Sequence, residues 1–65
     1  MADFSEPGIN IWNEYNPGDN AVVVGQGNPG DGLELHDTSN EGWSSGRNLR
    51  TGVEGWVSNR FIRTN

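Results

Sequence analysis

Glycine and proline interrupt this chain so often that long helices are excluded. Ten glycines and three prolines are spread over 65 residues, and the longest stretch that lacks both is the ten residues 56–65. Proline removes a helical hydrogen bond and clashes with the preceding turn, and glycine lowers helix stability through its backbone entropy. We therefore expect a fold of short strands joined by turns.

The core available to such a fold is small. Leu, Ile, Val and Phe make up 13 of the 65 residues, close to the content at which packed domains give way to disorder, although three tryptophans add apolar surface. With no cysteine and a single histidine, neither disulfides nor a metal ion is expected to reinforce the fold. We expect one domain with a stability of only a few kcal/mol.

Charge is divided unevenly along the chain. Residues 1–46 contain eight acidic side chains and no Lys or Arg, whereas residues 47–65 contain four arginines and one glutamate, for a net charge of −5. Such a chain lacks the basic face that binds nucleic-acid phosphates, and no apolar run approaches the roughly 20 residues of a membrane helix. The first residues lack the basic-then-apolar order of a secretory signal. We expect a cytoplasmic protein that binds neither nucleic acid nor membrane and whose acidic face suits a cationic partner.

Two short motifs recur along the chain. Asn-Pro-Gly-Asp occurs at residues 16–19 and 28–31, and Glu-Gly-Trp occurs at residues 41–43 and 54–56. Pro-Gly predicts a type II turn, because proline sets φ at the second turn position and glycine accepts the positive φ of the third. Turn signals spaced eight to thirteen residues apart indicate a meander of short strands. Residues 40–42 and Thr51-Gly52 are the predicted hairpin tips.

Between the turns, apolar and polar residues alternate with the period of two that is typical of strands. We expect a flexible lead-in over residues 1–8 and a folded domain over residues 9–65. Five or six short strands in so few residues close most economically into a small barrel or two orthogonal sheets. The predicted strands lie near residues 9–15, 21–25, 33–37, 43–50, 53–57 and 61–64.

Residues 21–24, Ala-Val-Val-Val, are a continuous apolar run and do not alternate. Such a run either crosses a core or pairs at the edge of a sheet. If it is exposed, it is the segment of this chain that is most prone to aggregate.

Residues 28–62 contain a characteristic succession of elements. In order, these are a Gly-acidic turn, an alternating strand, a polar loop, the position of an aromatic pair, a Thr-Gly hairpin, a Gly-aromatic-aliphatic strand and a short 3₁₀ turn. The matching residues are Gly30-Asp31, residues 33–35, residues 36–42, Trp43-Ser44 with serine in place of the second aromatic, Thr51-Gly52, Gly55-Trp56-Val57 and residues 58–61. The succession resembles the second half of a Src-homology-3 (SH3) domain, most closely the amino-terminal domain of this type in the Vav exchange factors. The resemblance implies an all-β, SH3-like barrel of five to six short strands with a 3₁₀ turn near the C-terminus.

The first half of the chain admits two registers against that family. The family's opening strand corresponds either to residues 10–14 or to a register one residue later that uses Tyr15. In the first register, Val22 and Val24 take core positions, and residues 17–20 form the tip of the long first loop, the RT loop of the family.

The resemblance implies a function in protein interaction. SH3 domains act in signalling adaptors and bind proline-rich peptides in the polyproline II conformation, which arrive already extended and lose little conformational entropy. By residue-wise comparison, the groove is formed by Trp12 or Tyr15, with Trp43, Ser58 and Phe61. Glu14 and Asp19 are the acids expected to meet an Arg or Lys of the ligand.

Two residues depart from the family pattern. Ser58 stands where relatives have the groove proline, and Phe61 stands where they have a tyrosine, so ligand contacts are lost at both positions. In this family, phenylalanine at the closing position is compatible with binding ubiquitin. A folded partner, ubiquitin included, or a segment of the parent chain is therefore the alternative to a proline-rich peptide.

No catalytic or cofactor chemistry is expected. His36 and Asp37 are adjacent on a predicted strand and point to opposite faces, so with Ser39 they cannot align as a nucleophile, base and orienting group. One histidine and scattered carboxylates match neither zinc spacing nor a calcium loop. We expect a monomer in which Trp43 faces the ligand and Trp56 packs on the outer side of the sheet or on a neighbouring loop.

Overall fold

The alternating segments form an all-β structure, as predicted. The computed structural model describes residues 2–64, and of residues 39 and 40 it describes the backbone only. The described chain contains seven strands and one 3₁₀ helix, which precedes the last strand. The elements are β1 (Ala2–Phe4), β2 (Ile9–Trp12), β3 (Val23–Gly27), β4 (Leu33–Asn40), β5 (Trp43–Asn48), β6 (Glu54–Ser58), the 3₁₀ helix (Asn59–Phe61) and β7 (Ile62–Thr64).

The seven strands form one curled antiparallel sheet rather than two packed sheets. Its order is β3-β2-β6-β5-β4-β1-β7, so that β3 and β7 lie at its edges. Consecutive strands from β4 to β6 are joined by hairpins, whereas β1 lies between β4 and β7. This arrangement brings the two ends of the chain side by side and is compatible with a small SH3-like barrel.

The core lies inside the curve of the sheet. Strands β1 and β2 each contribute two buried residues at a spacing of two, as the pleat of a strand requires. The buried apolar residues are Ala2, Phe4, Ile9, Ile11, Leu33 and Val57, and Leu35, Val53, Phe61 and Ile62 pack against them in part.

The expectation of a flexible lead-in over residues 1–8 does not hold for residues 2–4. These residues form β1, which pairs with β7 in the register Asp3↔Arg63, and the Phe4 side chain has no exposed surface. The Asp3 carboxylate adds a second attachment, because it accepts hydrogen bonds from the backbone amides of Gly30 at 2.8 Å and Gly32 at 3.1 Å. The first residues are therefore held by both the last strand and the turn at residues 28–31. Residues 10–12 lie in β2, the second strand along the chain, and residues 13 and 14 follow it.

The placement of Val22 and Val24 in the core is wrong. Val22, which directly precedes β3, is 57% exposed. Val24 is 42% exposed on β3, an edge strand that pairs only with β2. The space beneath β3 is filled from elsewhere: the Val53 side chain packs against Gly25, and the Phe4 ring packs against Gly27. Of the two interpretations of residues 21–24, pairing at a sheet edge is the one that holds.

The two Asn-Pro-Gly-Asp motifs fold differently. At residues 28–31 the predicted type II turn is confirmed, since Gly30 has φ 97° and the amide of Asp31 donates to the carbonyl of Asn28 at 3.1 Å. At residues 16–19 the positive φ of 49° belongs to Asn16, not to Gly18, so the type II prediction is wrong there.

The hairpin tips predicted at residues 40–42 and 51–52 are confirmed. Gly42 has φ 73° between β4 and β5, and Gly52 has φ 80° between β5 and β6. Both positions need the left-handed conformation that glycine adopts without steric cost.

Candidate ligand groove

Four of the predicted site residues meet around one surface groove. Trp12, Trp43, Ser58 and Phe61 line a cavity of about 370 Å³, and each is partly buried. Concave, largely apolar surfaces with a few polar groups are the usual form of a ligand site. The remaining lining residues are Glu6, Pro7, Gly8, Ile9 and Asn10.

The register between β5 and β6 places Trp43 and Ser58 side by side at the groove. Trp43 lies directly opposite Ser58 in the β5–β6 ladder, so both side chains leave the same face of the sheet. Their neighbours Ser44 and Val57 form the next pair, face inward and are buried. Residue 44 therefore points away from the groove.

Hydrogen bonds hold the 3₁₀ helix against the sheet. The Asn59 amide donates to the carbonyl of Gly42 at 2.9 Å, and the Ser44 hydroxyl donates to the Asn59 side-chain carbonyl. The Ser5 amide donates to the carbonyl of Phe61 at 2.9 Å. These bonds fix the Phe61 ring at the end of the groove, where the Arg60 guanidinium lies 5.7 Å from the ring centroid.

Tyr15 is not part of the groove. Its ring packs edge-on against Trp56, with centroids 5.6 Å apart and an interplanar angle of 67°. Between the two alternatives that the sequence left open, Trp12 is therefore the groove residue. The contact also confirms that Trp56 packs on a neighbouring loop.

The two predicted acids are not among the groove-lining residues. Glu14 is exposed, and its carboxylate accepts a hydrogen bond from the Gly18 amide at 3.3 Å within the same loop. Asp19 is exposed near the tip of that loop. The acid that does line the groove is Glu6, followed directly by Pro7. Sequence reasoning missed both residues because they lie in the segment taken for a lead-in, although a Pro-Gly pair at residues 7–8 marks a turn.

Asp3 and Glu34, whose pKa values are shifted, do not line the groove. The hydrogen bond from the Gly30 amide lowers the pKa of Asp3, and the Phe4 and Gly32 amides and the nearby Arg63 guanidinium act in the same direction. The pKa of Glu34 is lowered by its hydrogen bond to His36. Neither carboxylate therefore contributes a shifted pKa to the groove.

A second cavity lies on another part of the sheet, where β1, β4 and β7 meet. It has a volume of about 400 Å³ and contains none of the predicted site residues. Four of its six lining residues are apolar: Ala2, Leu33, Leu35 and Leu49, with Glu34 and Thr64.

The histidine of this chain lies away from the groove, on β4. The His36 ring lies 2.8 Å from the carboxylate of Glu34, two residues away on the same face of β4. Within residues 2–64, no three histidine, cysteine or acidic side chains are grouped closely enough to hold a metal ion. In the same part of the chain, no helix is long and apolar enough to cross a membrane.

The chain matches no protein-family model, no curated protein and no solved structure. The resemblance to SH3 domains therefore rests on the sequence features given above, and a function has to be inferred from the groove itself.

Proposed function

We propose that this chain is a non-catalytic protein-interaction module of the SH3 type that binds proline-rich segments in its groove. The observation that supports this most directly is the convergence of Trp12, Trp43, Ser58 and Phe61, from three strands and a 3₁₀ helix, on one concave surface. These are the positions that the family resemblance selects for peptide contact.

The chemistry of the groove suits an extended, proline-rich peptide. The aromatic rings of Trp12, Trp43 and Phe61, together with the ring of Pro7, offer flat apolar surfaces. Prolyl rings pack on such surfaces without strict hydrogen-bond geometry, and a polyproline II segment is extended before it binds. The entropic cost of ordering the ligand is therefore small.

The charge of the groove favours a ligand with a basic residue. Glu6 places an exposed carboxylate at the groove, and the whole chain carries a net charge of −5. An exposed ion pair contributes only about 0–1 kcal/mol, so it adds selectivity more than affinity. We expect a short peptide to bind with a dissociation constant on the order of tens to hundreds of micromolar, because it buries less than a standard interface.

The second candidate function is docking onto a folded partner such as ubiquitin. Phe61 favours it, since a phenylalanine ring closes the groove without the hydroxyl donor that a peptide carbonyl would use. Ser58 favours it as well, because it gives one wall of the groove less apolar surface than a proline would. A broad apolar surface on a folded partner would lose less than a peptide from these changes.

A two-dimensional amide NMR titration distinguishes the two functions. A proline-rich peptide containing arginine is added to the chain, and a matched peptide with its prolines replaced by alanine serves as the control. We expect only the proline-rich peptide to shift the amide signals of residues 6, 8–12, 43 and 58–61. If ubiquitin shifts these amides and neither peptide does, the folded-partner function is correct. Shifts confined to other surfaces would contradict both.

A further inference from the structure

Asn10 brings a side-chain amide to the groove. It lies on β2 two residues before Trp12, so the pleat of the strand puts both side chains on the same face. Both residues line the cavity and are partly buried. The amide of Asn10 therefore lies beside one of the aromatic rings that the proposed ligand would contact.

One end of this amide is already engaged by the neighbouring strand. Asn10 lies directly opposite Gln26 in the β2–β3 ladder, and the Gln26 Nε2 donates to the Asn10 Oδ1 at 3.1 Å. Gln26 itself is exposed and does not line the groove. Within residues 2–64, the Asn10 Nδ2 donates to no protein group. Gln26 thus occupies the acceptor of the Asn10 amide and leaves its donor available to a ligand.

A polyproline II ligand offers hydrogen-bond acceptors and few donors. Its backbone carbonyls make no internal hydrogen bonds, and each proline lacks an N–H. A groove that holds such a segment in one register must therefore donate. The Ser58 hydroxyl and the indole N–H groups of Trp12 and Trp43 are donors at this groove, whereas Phe61 adds none. The Asn10 amide matches the same requirement.

We infer that the Asn10 Nδ2 donates a hydrogen bond to a backbone carbonyl of the bound segment, and that Gln26 is the positioning residue that holds the amide in this orientation. The inference rests on the proposed function, since it assigns roles at the same groove. The Asn10 donor compensates for the hydroxyl that Phe61 lacks. A neutral hydrogen bond changes affinity about two- to tenfold, so Asn10 fixes the register of the ligand more than it sets the total affinity.

The side-chain amide signals of Asn10 test the contact directly. The probe is a proline-rich peptide without charged side chains, titrated by NMR in about 0.3 M salt so that charge attraction is screened. We expect the Asn10 side-chain signals to shift with the same dissociation constant as the backbone amide of Trp43. The side chain of Asn20, which is exposed and outside the groove, serves as the reference and should not shift. Unmoved Asn10 side-chain signals beside a shifted Trp43 amide would overturn the inference.

Two matched variants change an amide to a carboxylate inside and outside the groove. Asn10→Asp should weaken the uncharged peptide at least about fivefold, because an acceptor then faces the ligand carbonyls. Asn20→Asp adds the same charge and should bind like the original chain. Asn10→Ala removes the donor without adding charge and should weaken binding about two- to tenfold. Equal affinities of Asn10→Asp and Asn20→Asp would overturn the inference.

Gln26→Glu tests the positioning role without altering a groove residue. A carboxylate cannot donate, so it draws the Asn10 Nδ2 toward itself and turns the Asn10 Oδ1 toward the ligand. We expect affinity to fall at least about threefold while the urea midpoint stays unchanged. The double variant Asn10→Ala/Gln26→Glu should bind like Asn10→Ala alone, because Gln26 acts through Asn10. Additive losses in the double variant would overturn the positioning role.

The outcomes separate this inference from the proposed function. If the original chain does not bind the proline-rich peptide, both are wrong. If Trp43→Ala abolishes binding while Asn10→Asp binds like the original chain, the proposed function stands and the role of Asn10 is wrong.

Discussion

The ring of Phe4 packs against the backbone of Gly27, in the space that a side chain at position 27 would occupy. Phe4 lies on β1, next to one edge of the sheet, and Gly27 ends β3, the opposite edge strand. The contact therefore joins the two ends of the curled sheet over the core. It explains why the strand that closes the curve ends in glycine.

Replacing Gly27 with a larger residue should therefore lower the stability of the fold. A Cβ atom at position 27 would overlap the Phe4 ring, which has no exposed surface into which it could move. We expect Gly27→Ala to lower the free energy of unfolding by about 1–3 kcal/mol, as overpacking of cores does. Gly18→Ala is the matched control, because the nearest atom to its Cβ would be the Glu14 carboxylate oxygen at 3.9 Å. Urea unfolding measures both, and equal stability of the two variants would contradict the packing described here.

Asp3 should make stability depend on pH. Its folded-state pKa is lowered, first by the Gly30 amide, so its contribution is fully present above its unfolded-state pKa and is lost as pH falls through the lower folded-state value. Asp3→Ala should cost about 1–3 kcal/mol at neutral pH, because the Gly30 and Gly32 amides lose their acceptor.

The difference between wild type and Asp3→Ala should shrink well below about pH 4, where the wild-type carboxylate becomes protonated. Urea unfolding at neutral and acidic pH checks this, with Glu41→Ala, at an exposed hairpin tip, as the control. A difference that stays constant with pH would show that Asp3 acts through packing alone.

Local chemistry made much of this fold predictable. Pro29-Gly30 and the glycines at positions 42 and 52 set turns that any chain with those residues would favour. Trp43 faces the groove, as the sequence predicted. These features depend on residues that are adjacent in the sequence, so the local sequence pattern is enough to predict them.

Long-range pairing was not predictable in the same way. Strand β1 has only Ala2 and Phe4 to mark its period, and its register with Arg63 and Thr64 depends on the other end of the chain. The run at residues 21–24 could not distinguish core from edge, since a continuous apolar segment fits both. The position of Glu6 at the groove was missed because Glu6 directly follows this region, in the segment that was expected to be a flexible lead-in.

Trp43 should be required for ligand binding and dispensable for the fold. Its side chain is only partly buried and lines the groove, so truncation removes contact with the ligand more than core packing. We expect Trp43→Ala to weaken a proline-rich peptide more than tenfold while amide dispersion is retained. Tyr15→Ala, an exposed aromatic outside the groove, should bind nearly as the original chain does. Unfolding of Trp43→Ala would place Trp43 in the core instead.

Glu6 should account for the salt dependence of peptide binding. Of the three acids considered, it is the one that lines the groove. We expect Glu6→Gln to weaken an arginine-containing peptide about two- to fivefold at low salt and to flatten the salt dependence, in keeping with an exposed pair of up to about 1 kcal/mol. Asp19→Asn makes the same charge change outside the groove and should have a smaller effect. If Asp19→Asn weakened binding more than Glu6→Gln, Asp19 would be the acid that recognises the ligand.

Ser58→Pro tests the groove assignment most sharply. Ser58 has φ −65° and ψ 132°, which is the φ that a proline ring imposes, and the preceding residue lies in extended β6 as a residue before proline prefers. The amide that anchors the following helix belongs to Asn59, not to Ser58. Ser58→Pro should therefore be neutral or stabilising by up to about 1 kcal/mol, through a less disordered unfolded chain. Because Ser58 lines the groove opposite Trp43, the added ring should strengthen binding of a proline-rich peptide several-fold.

Asn59→Pro is the matched control for that variant. It removes the hydrogen bond from the Asn59 amide to Gly42 and should lower stability by about 1–3 kcal/mol. Urea unfolding and peptide titration are measured on both variants. A loss of more than about 1 kcal/mol in Ser58→Pro would mean that the Ser58 amide makes an essential hydrogen bond. Unchanged peptide affinity in a well-folded Ser58→Pro variant would mean that the working surface is not this groove wall, and it would favour docking onto a folded partner.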